Sequence, residues 1–166
     1  MWKVYSKVIL LKYFFLSLSL LFLSACTLKD YKYSTSKYVT FKTPHLKFSD
    51  LGYLHSSDDA LRLEIFVAGR LVKSLEINYL VCIDATCMSK KRFNKAFLTP
   101  HYPDNLLQNI LLGRVIYGGE GLQKDAEGFW QKIVDEYVDI SYKVSKENIY
   151  FKDKKNHILF KIRNIE

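Results

Sequence analysis

Few side chains in this 166-residue chain have the type and spacing that chemistry needs. There are three cysteines. Cys82 and Cys87 bracket Ile83-Asp84-Ala85-Thr86, and Cys26 stands apart near the N-terminus. A C-x4-C spacing is not the C-x-x-C of thiol–disulfide enzymes, and no histidine lies beside it to complete a zinc set. In an oxidising compartment Cys82 and Cys87 are expected to pair across a hairpin turn. A bridge closing so small a loop is worth about 2 kcal/mol. His45, His55, His101 and His157 are isolated, each in a polar or turn context. Asp58-Asp59 and Asp135-Glu136 are adjacent pairs, so on a strand the two carboxylates point to opposite faces. No G-x-S-x-G, P-loop or paired-carboxylate spacing is present. The chain is therefore expected not to be an enzyme, and neither a metal site nor a dissociable cofactor is expected.

The remaining cysteine closes a leader. Residues 1–12 hold Lys3, Lys7 and Lys12 without an acid, and residues 13–25, YFFLSLSLLFLSA, carry no charge. A basic start, a short apolar stretch and small residues before a break make a secretory signal peptide, whereas a spanning helix needs about 20 apolar residues. Leu23-Ser24-Ala25-Cys26 resembles the bacterial lipobox. That resemblance implies removal of residues 1–25 and attachment of diacylglycerol and an N-linked acyl chain, of the palmitate kind, to Cys26. Each buried methylene contributes about 0.8 kcal/mol, so two or three chains make a lasting lipid anchor. Residue 27 is Thr rather than Asp. By the enterobacterial sorting rule this points to the periplasmic face of the outer membrane.

Locating the charge changes what it excludes. The chain has 25 Lys+Arg against 17 Asp+Glu, a net +8. Three of those cations are in the leader, which leaves 22 against 17, or +5, on residues 26–166. In the envelope the partner of a basic patch is lipid phosphate or an acidic protein, not nucleic acid. Lys90-Lys91-Arg92 with Lys95, and Lys152 with Lys154-Lys155, read as solvated turns. Residues 26–45 read as an acylated tether, polar and rich in Ser, Thr and Lys. Its Lys29, Lys32, Lys37 and Lys42 are placed to meet anionic headgroups.

Residues 46–166 must position whatever site exists, and their pattern is mostly period two. Leu61, Leu63, Ile65 and Val67 alternate with polar or outward residues, and Leu71 to Val81 continue the alternation after Ala68-Gly69-Arg70, a tight hairpin turn. About four strands are expected over 46–98. Pro103 to Gly113 is different: Leu106, Leu107, Ile110 and Leu111 recur at helical spacing between an N-terminal Pro and a C-terminal Gly. Residues 125–137 fit a helix or a strand, and the strand is preferred. Val138 to Val144, Ile149 to Phe151 and Ile158 to Ile162 form a closing three-stranded meander. The fold class is α+β: a curved antiparallel sheet, an incomplete β-barrel, with one or two covering helices.

This organisation resembles the LolA/LolB family of periplasmic lipoprotein-handling proteins, the LolB-like outer-membrane lipoproteins in particular. The likeness rests on the lipobox leader, on Ala60-Leu61-Arg62-Leu63-Glu64-Ile65-Phe66, on Leu106 to Arg114 ending in Leu-Gly, and on Tyr137-Val138-Asp139-Ile140-Ser141-Tyr142. It covers residues 46–166. The mature chain is short, and the Trp-rich N-terminal half usual in LolB is thin here. The resemblance implies a half-barrel with an apolar cavity for acyl chains, and other lipoproteins or a periplasmic carrier as partners. No ligand residue is carried over from it. The alternation itself offers Leu63, Ile65, Leu75, Ile77, Tyr79, Leu107, Ile110, Leu111, Ile140 and Tyr142 as lining. The expected function is binding or transfer of acyl chains or lipoproteins at the outer membrane. The alternative is a non-catalytic accessory lipoprotein of an envelope assembly.

Overall fold

The alternating segments fold as strands of one open antiparallel sheet, in a computed structural model that describes residues 31–165. Residues 1–30, which hold the expected leader with Cys26, Thr27 and Lys29, lie outside the described residues. Six strands come first: β1 (Tyr33–Lys42), β2 (Lys47–Ser56), β3 (Leu61–Val67), β4 (Arg70–Ile77), β5 (Leu80–Ile83) and β6 (Thr86–Ser89). Two helices follow, α1 (Lys90–Phe97) and α2 (Leu106–Leu111), and a 3-10 turn at Tyr117–Gly119. Five more strands complete the chain: β7 (Leu122–Lys124), β8 (Gly128–Val134), β9 (Asp139–Ser145), β10 (Asn148–Asp153) and β11 (Ile158–Asn164). The order across the sheet is β6-β5-β4-β3-β2-β1-β11-β10-β9-β8-β7. The sheet is not closed, and β6 and β7 are its two edges.

The first and last strands therefore meet in the middle. Residues 33–42, read from the sequence as tether, are the central strand β1, paired with β2 on one side and β11 on the other. Val39 and Phe41 are 1% and 2% exposed, and they bury this strand from one side only. The other residues of the strand are Tyr, Ser, Thr and Lys, which hide the period-two signal under a polar composition. Lys37 belongs to the inner side of this strand and donates to Asn164 rather than reaching a headgroup. Burial pushes its ammonium pKa down.

One row of rings runs along the inner face. Phe48, Phe41, Phe160, Phe151 and Tyr142 are register partners across β2, β1, β11, β10 and β9. Phe41 meets Phe160 edge-on at 4.6 Å and Phe48 at 4.8 Å, and Phe151 stacks on Phe160 at 5.5 Å. Such pairs add about 0.5–1.5 kcal/mol each beyond the area they bury. A parallel row, Leu54, Leu63, Leu75 and Ile83, continues the core toward β5.

The helices lie in the connection from β6 to β7. Ser89 caps α1, its hydroxyl accepting from the Arg92 amide at 3.3 Å. Phe93 and Phe97 stand one turn apart on α1, rings 5.1 Å apart, and face inward, while Lys91, Arg92 and Lys95 are exposed. The Lys90–Lys95 cluster thus sits on a helix, not a turn. Its three adjacent cations obscured the i, i+4 pair beneath them. The helix expected from Pro103 begins later, at Leu106, and buries Leu106, Leu107, Ile110 and Leu111 as its spacing requires. Gly113 ends it at φ +64, with the Arg114 amide reaching back to Asn109 O at 2.8 Å. Only a residue free to take a positive φ closes a helix in this way. Residues 128–134 are strand, and Gly128 opens it because β9 leaves no room for a side chain: a Cβ there would meet Val144 O at 2.1 Å. Every strand, both helices and the buried core among the described residues lie within Tyr31–Glu166, a compact unit in itself.

Candidate functional site

The chain reverses between β1 and β2 through Thr43 to Leu46. Thr43 Oγ1 accepts the amides of His45 (3.2 Å) and Leu46 (2.9 Å), which makes this turn tight. On the far side of the same end of the sheet, β5 and β6 form a short hairpin stapled by a Cys82–Cys87 disulfide. The two cysteines are register partners, with Cα atoms 3.9 Å apart. Asp84 at the hairpin tip accepts from the Ser74 amide at 2.9 Å, its own amide donates to Ser74 O, and Lys73 lies 3.3 Å from its carboxylate. The Ser74 amide first, and then Lys73, hold the Asp84 carboxyl below the usual carboxylate range.

Between the turn, the hairpin and α1 the core is not filled. A cavity of about 620 Å³ opens there, inside the roughly 300–1,000 Å³ typical of ligand sites. Its sheet wall is Phe48, Phe41 and Phe160, the end of the aromatic row, with Ile65 and Leu75. Its opposite wall is Phe93, Phe97 and Leu98 of α1 and its end, with Leu107 of α2. Ile83 and Met88 of the stapled hairpin close one side. Polar groups gather at the rim: Thr43, His45, Lys73, Ser74, Asp84 and Thr86. An apolar interior with a polar rim suits a chain of methylenes with a polar head left in water.

The expected lining residues divide three ways. Ile65, Leu75 and Leu107 line the cavity. Leu63, Ile77, Ile110, Leu111, Ile140 and Tyr142 are at most 1% exposed and fill the core around it. Tyr79 does neither, being 84% exposed at the tip of the β4–β5 turn. The Asn78 side chain accepts the Leu80 amide at 2.8 Å and reverses the chain. Ile77 and Val81 then pair across the turn, both inward. The even spacing across it left the alternation unbroken in the sequence and hid the reversal.

Tyr142 acts as a buried strut: its hydroxyl donates to Arg114 O at 2.9 Å and burial pushes its phenol pKa up. A second strut is Tyr102, whose hydroxyl donates to the fully buried Asp153 at 2.7 Å. Asp153 also accepts amides from Asp139, Lys155 and Asn156, and so holds the β10–β11 turn. Asn94 of α1 donates to the carbonyls of Tyr102 and Pro103, and Lys90 to Gln108, 3.0 Å away on α2. These bonds fix the helical wall over the sheet. The lining that sequence reasoning missed is aromatic: Phe41, Phe48, Phe93, Phe97 and Phe160. Their signals were the alternation Val39/Phe41 and the Phe93/Phe97 spacing after Ser89.

Among the described residues no group of three or more His, Cys, Asp or Glu is placed to hold a metal ion. No described helix is long and apolar enough to cross a membrane. No protein-family model matches the chain, and no curated protein matches it either.

Proposed function

We propose that the chain is a lipid-anchored protein of the bacterial envelope that takes an acyl chain of a lipid or lipoprotein into its cavity. Anchorage is through Cys26, at the periplasmic face of the outer membrane. The donor is another lipoprotein or a periplasmic carrier, and the act is binding or transfer rather than covalent chemistry. One observation carries the reading: an apolar cavity of about 620 Å³ between an open antiparallel sheet and the helices that cover it. Each methylene moved from water into such a space contributes about 0.8 kcal/mol. The open sheet with covering helices is also the architecture that the LolA/LolB resemblance implies.

Native mass spectrometry of residues 27–166, which contain the whole compact unit, tests it. A triacylated peptide or a phospholipid is expected to add with one-to-one stoichiometry. No adduct, or adducts of indefinite number, would refute the acyl-binding reading. The accessory-subunit alternative would then stand on β6 and β7, whose edges offer free backbone groups to a partner strand.

A further inference from the structure

The outer face of the sheet carries a pattern that the cavity does not use. Register partners share a face. Lys47, Lys42, Lys152 and Lys132 fall in one row that crosses β2, β1, β11, β10, β9 and β8. The next row reads Lys161, Tyr150, Lys143 and Trp130, cation alternating with ring. Arg163 stands in a third row opposite Tyr38. All seven cations are exposed. The outer face of these six strands carries one carboxylate, Asp139, which pairs with Lys132. Five strand gaps of about 4.8 Å make the first row roughly 24 Å wide.

Part of this array is unfavourable to the sheet itself. Lys42 and Lys47 are direct cross-strand partners, and like charges so placed destabilise a sheet. Aromatic rings stand among the cations: Lys161 lies 5.6 Å over the Tyr150 ring and Arg163 5.2 Å over Tyr38, while Trp130 is exposed. Tyr and Trp set among the cations of such a face are residues that favour the headgroup layer. Six lysines to one arginine make an array of flexible point charges, which suits headgroups of no fixed geometry, whereas the fork of arginine serves a carboxylate or phosphate held in one place. We propose that this outer face, β8 to β11 with β1 and β2, lies against an anionic bilayer surface. The inference is independent of the acyl cavity, which opens from the inner face.

Residues 27–166, which lack the acylated cysteine, provide the test by co-sedimentation with vesicles. Vesicles of phosphatidylcholine containing phosphatidylglycerol are expected to bind the protein, pure phosphatidylcholine vesicles not, and salt to weaken the binding. A triple variant, Lys143→Gln, Lys152→Gln and Lys161→Gln, is expected to lower the partition coefficient about a hundredfold, at about fivefold per lysine. Lys91→Gln, Arg92→Gln and Lys95→Gln on α1 remove the same charge elsewhere and are expected to lower it much less. Circular dichroism checks that both variants fold. Absence of binding to anionic vesicles, equal loss from the two triple variants, or polyglutamate competing as well as anionic lipid would each overturn the proposal.

Discussion

The cavity sets a length limit on what it holds, and that limit can be measured. The cavity of about 620 Å³ takes a limited number of methylenes, and any beyond it stay in water. Each one transferred contributes about 0.8 kcal/mol, close to a fourfold gain in affinity. A homologous series of saturated fatty alcohols, competing with a fluorescent acyl probe on residues 27–166, should therefore tighten about fourfold per carbon. The gain should level off once the chain outruns the cavity, as further methylenes stay in water. Ile83→Trp pushes a larger ring into the cavity from the stapled hairpin and should bring the plateau several carbons earlier. Its melting temperature reports whether the hairpin remains folded. A flat series would refute the reasoning, because the chain would then not be entering apolar space. So would a slope that never levels off and is unchanged by Ile83→Trp, because the chain would be adsorbing to a surface.

Other outcomes follow from single contacts. Tyr102→Phe removes a 2.7 Å bond to a buried carboxylate and should cost about 1.5–3 kcal/mol in urea unfolding; a loss indistinguishable from zero would mean that Asp153 is held by its amides alone. Cys82→Ser with Cys87→Ser should cost about 2 kcal/mol and raise amide exchange in β5 and β6 above that in β10. The lowered folded pKa of Asp84 means that its contribution is present above about pH 4, the ordinary carboxylate value, and is lost as the pH falls through the lower folded value. Protection of the Ser74 amide should fall on acidification in the wild type and be pH-independent in Asp84→Asn, and equal acid sensitivity in the two would contradict the assignment. Gly128→Ala drives a methyl into Val144 O and should destabilise by about 1–3 kcal/mol, read as a lowered melting temperature; an unchanged melting temperature would show that β8 and β9 separate freely at this point.

Much of this molecule is decided by local pattern. Leu61, Leu63 and Ile65, and Ile158, Phe160 and Ile162, alternate in sequence, and a pleated strand turns alternation into one buried face. Leu106, Leu107, Ile110 and Leu111 before Gly113 specify a helix by the same kind of local rule. Cys82 and Cys87 flank a hairpin loop too short to leave them apart, so their pairing was legible as well. Tertiary structure decided the rest, because it depends on partners distant in the chain. Residues 33–42 are too polar to read as a core strand; they are one because β2 pairs along their whole length and β11 with residues 37–42. Tyr79 and Ile77 fit one alternating pattern, and only the reversal at Asn78 sends one to solvent and the other inward. The cavity itself is a volume left between Phe41, Phe160, Phe97 and Leu107, which come from four separate elements, and no periodicity along a chain encodes an unfilled space. The outer row of lysines is likewise scattered from Lys42 to Lys161, and only the strand register gathers it onto one face.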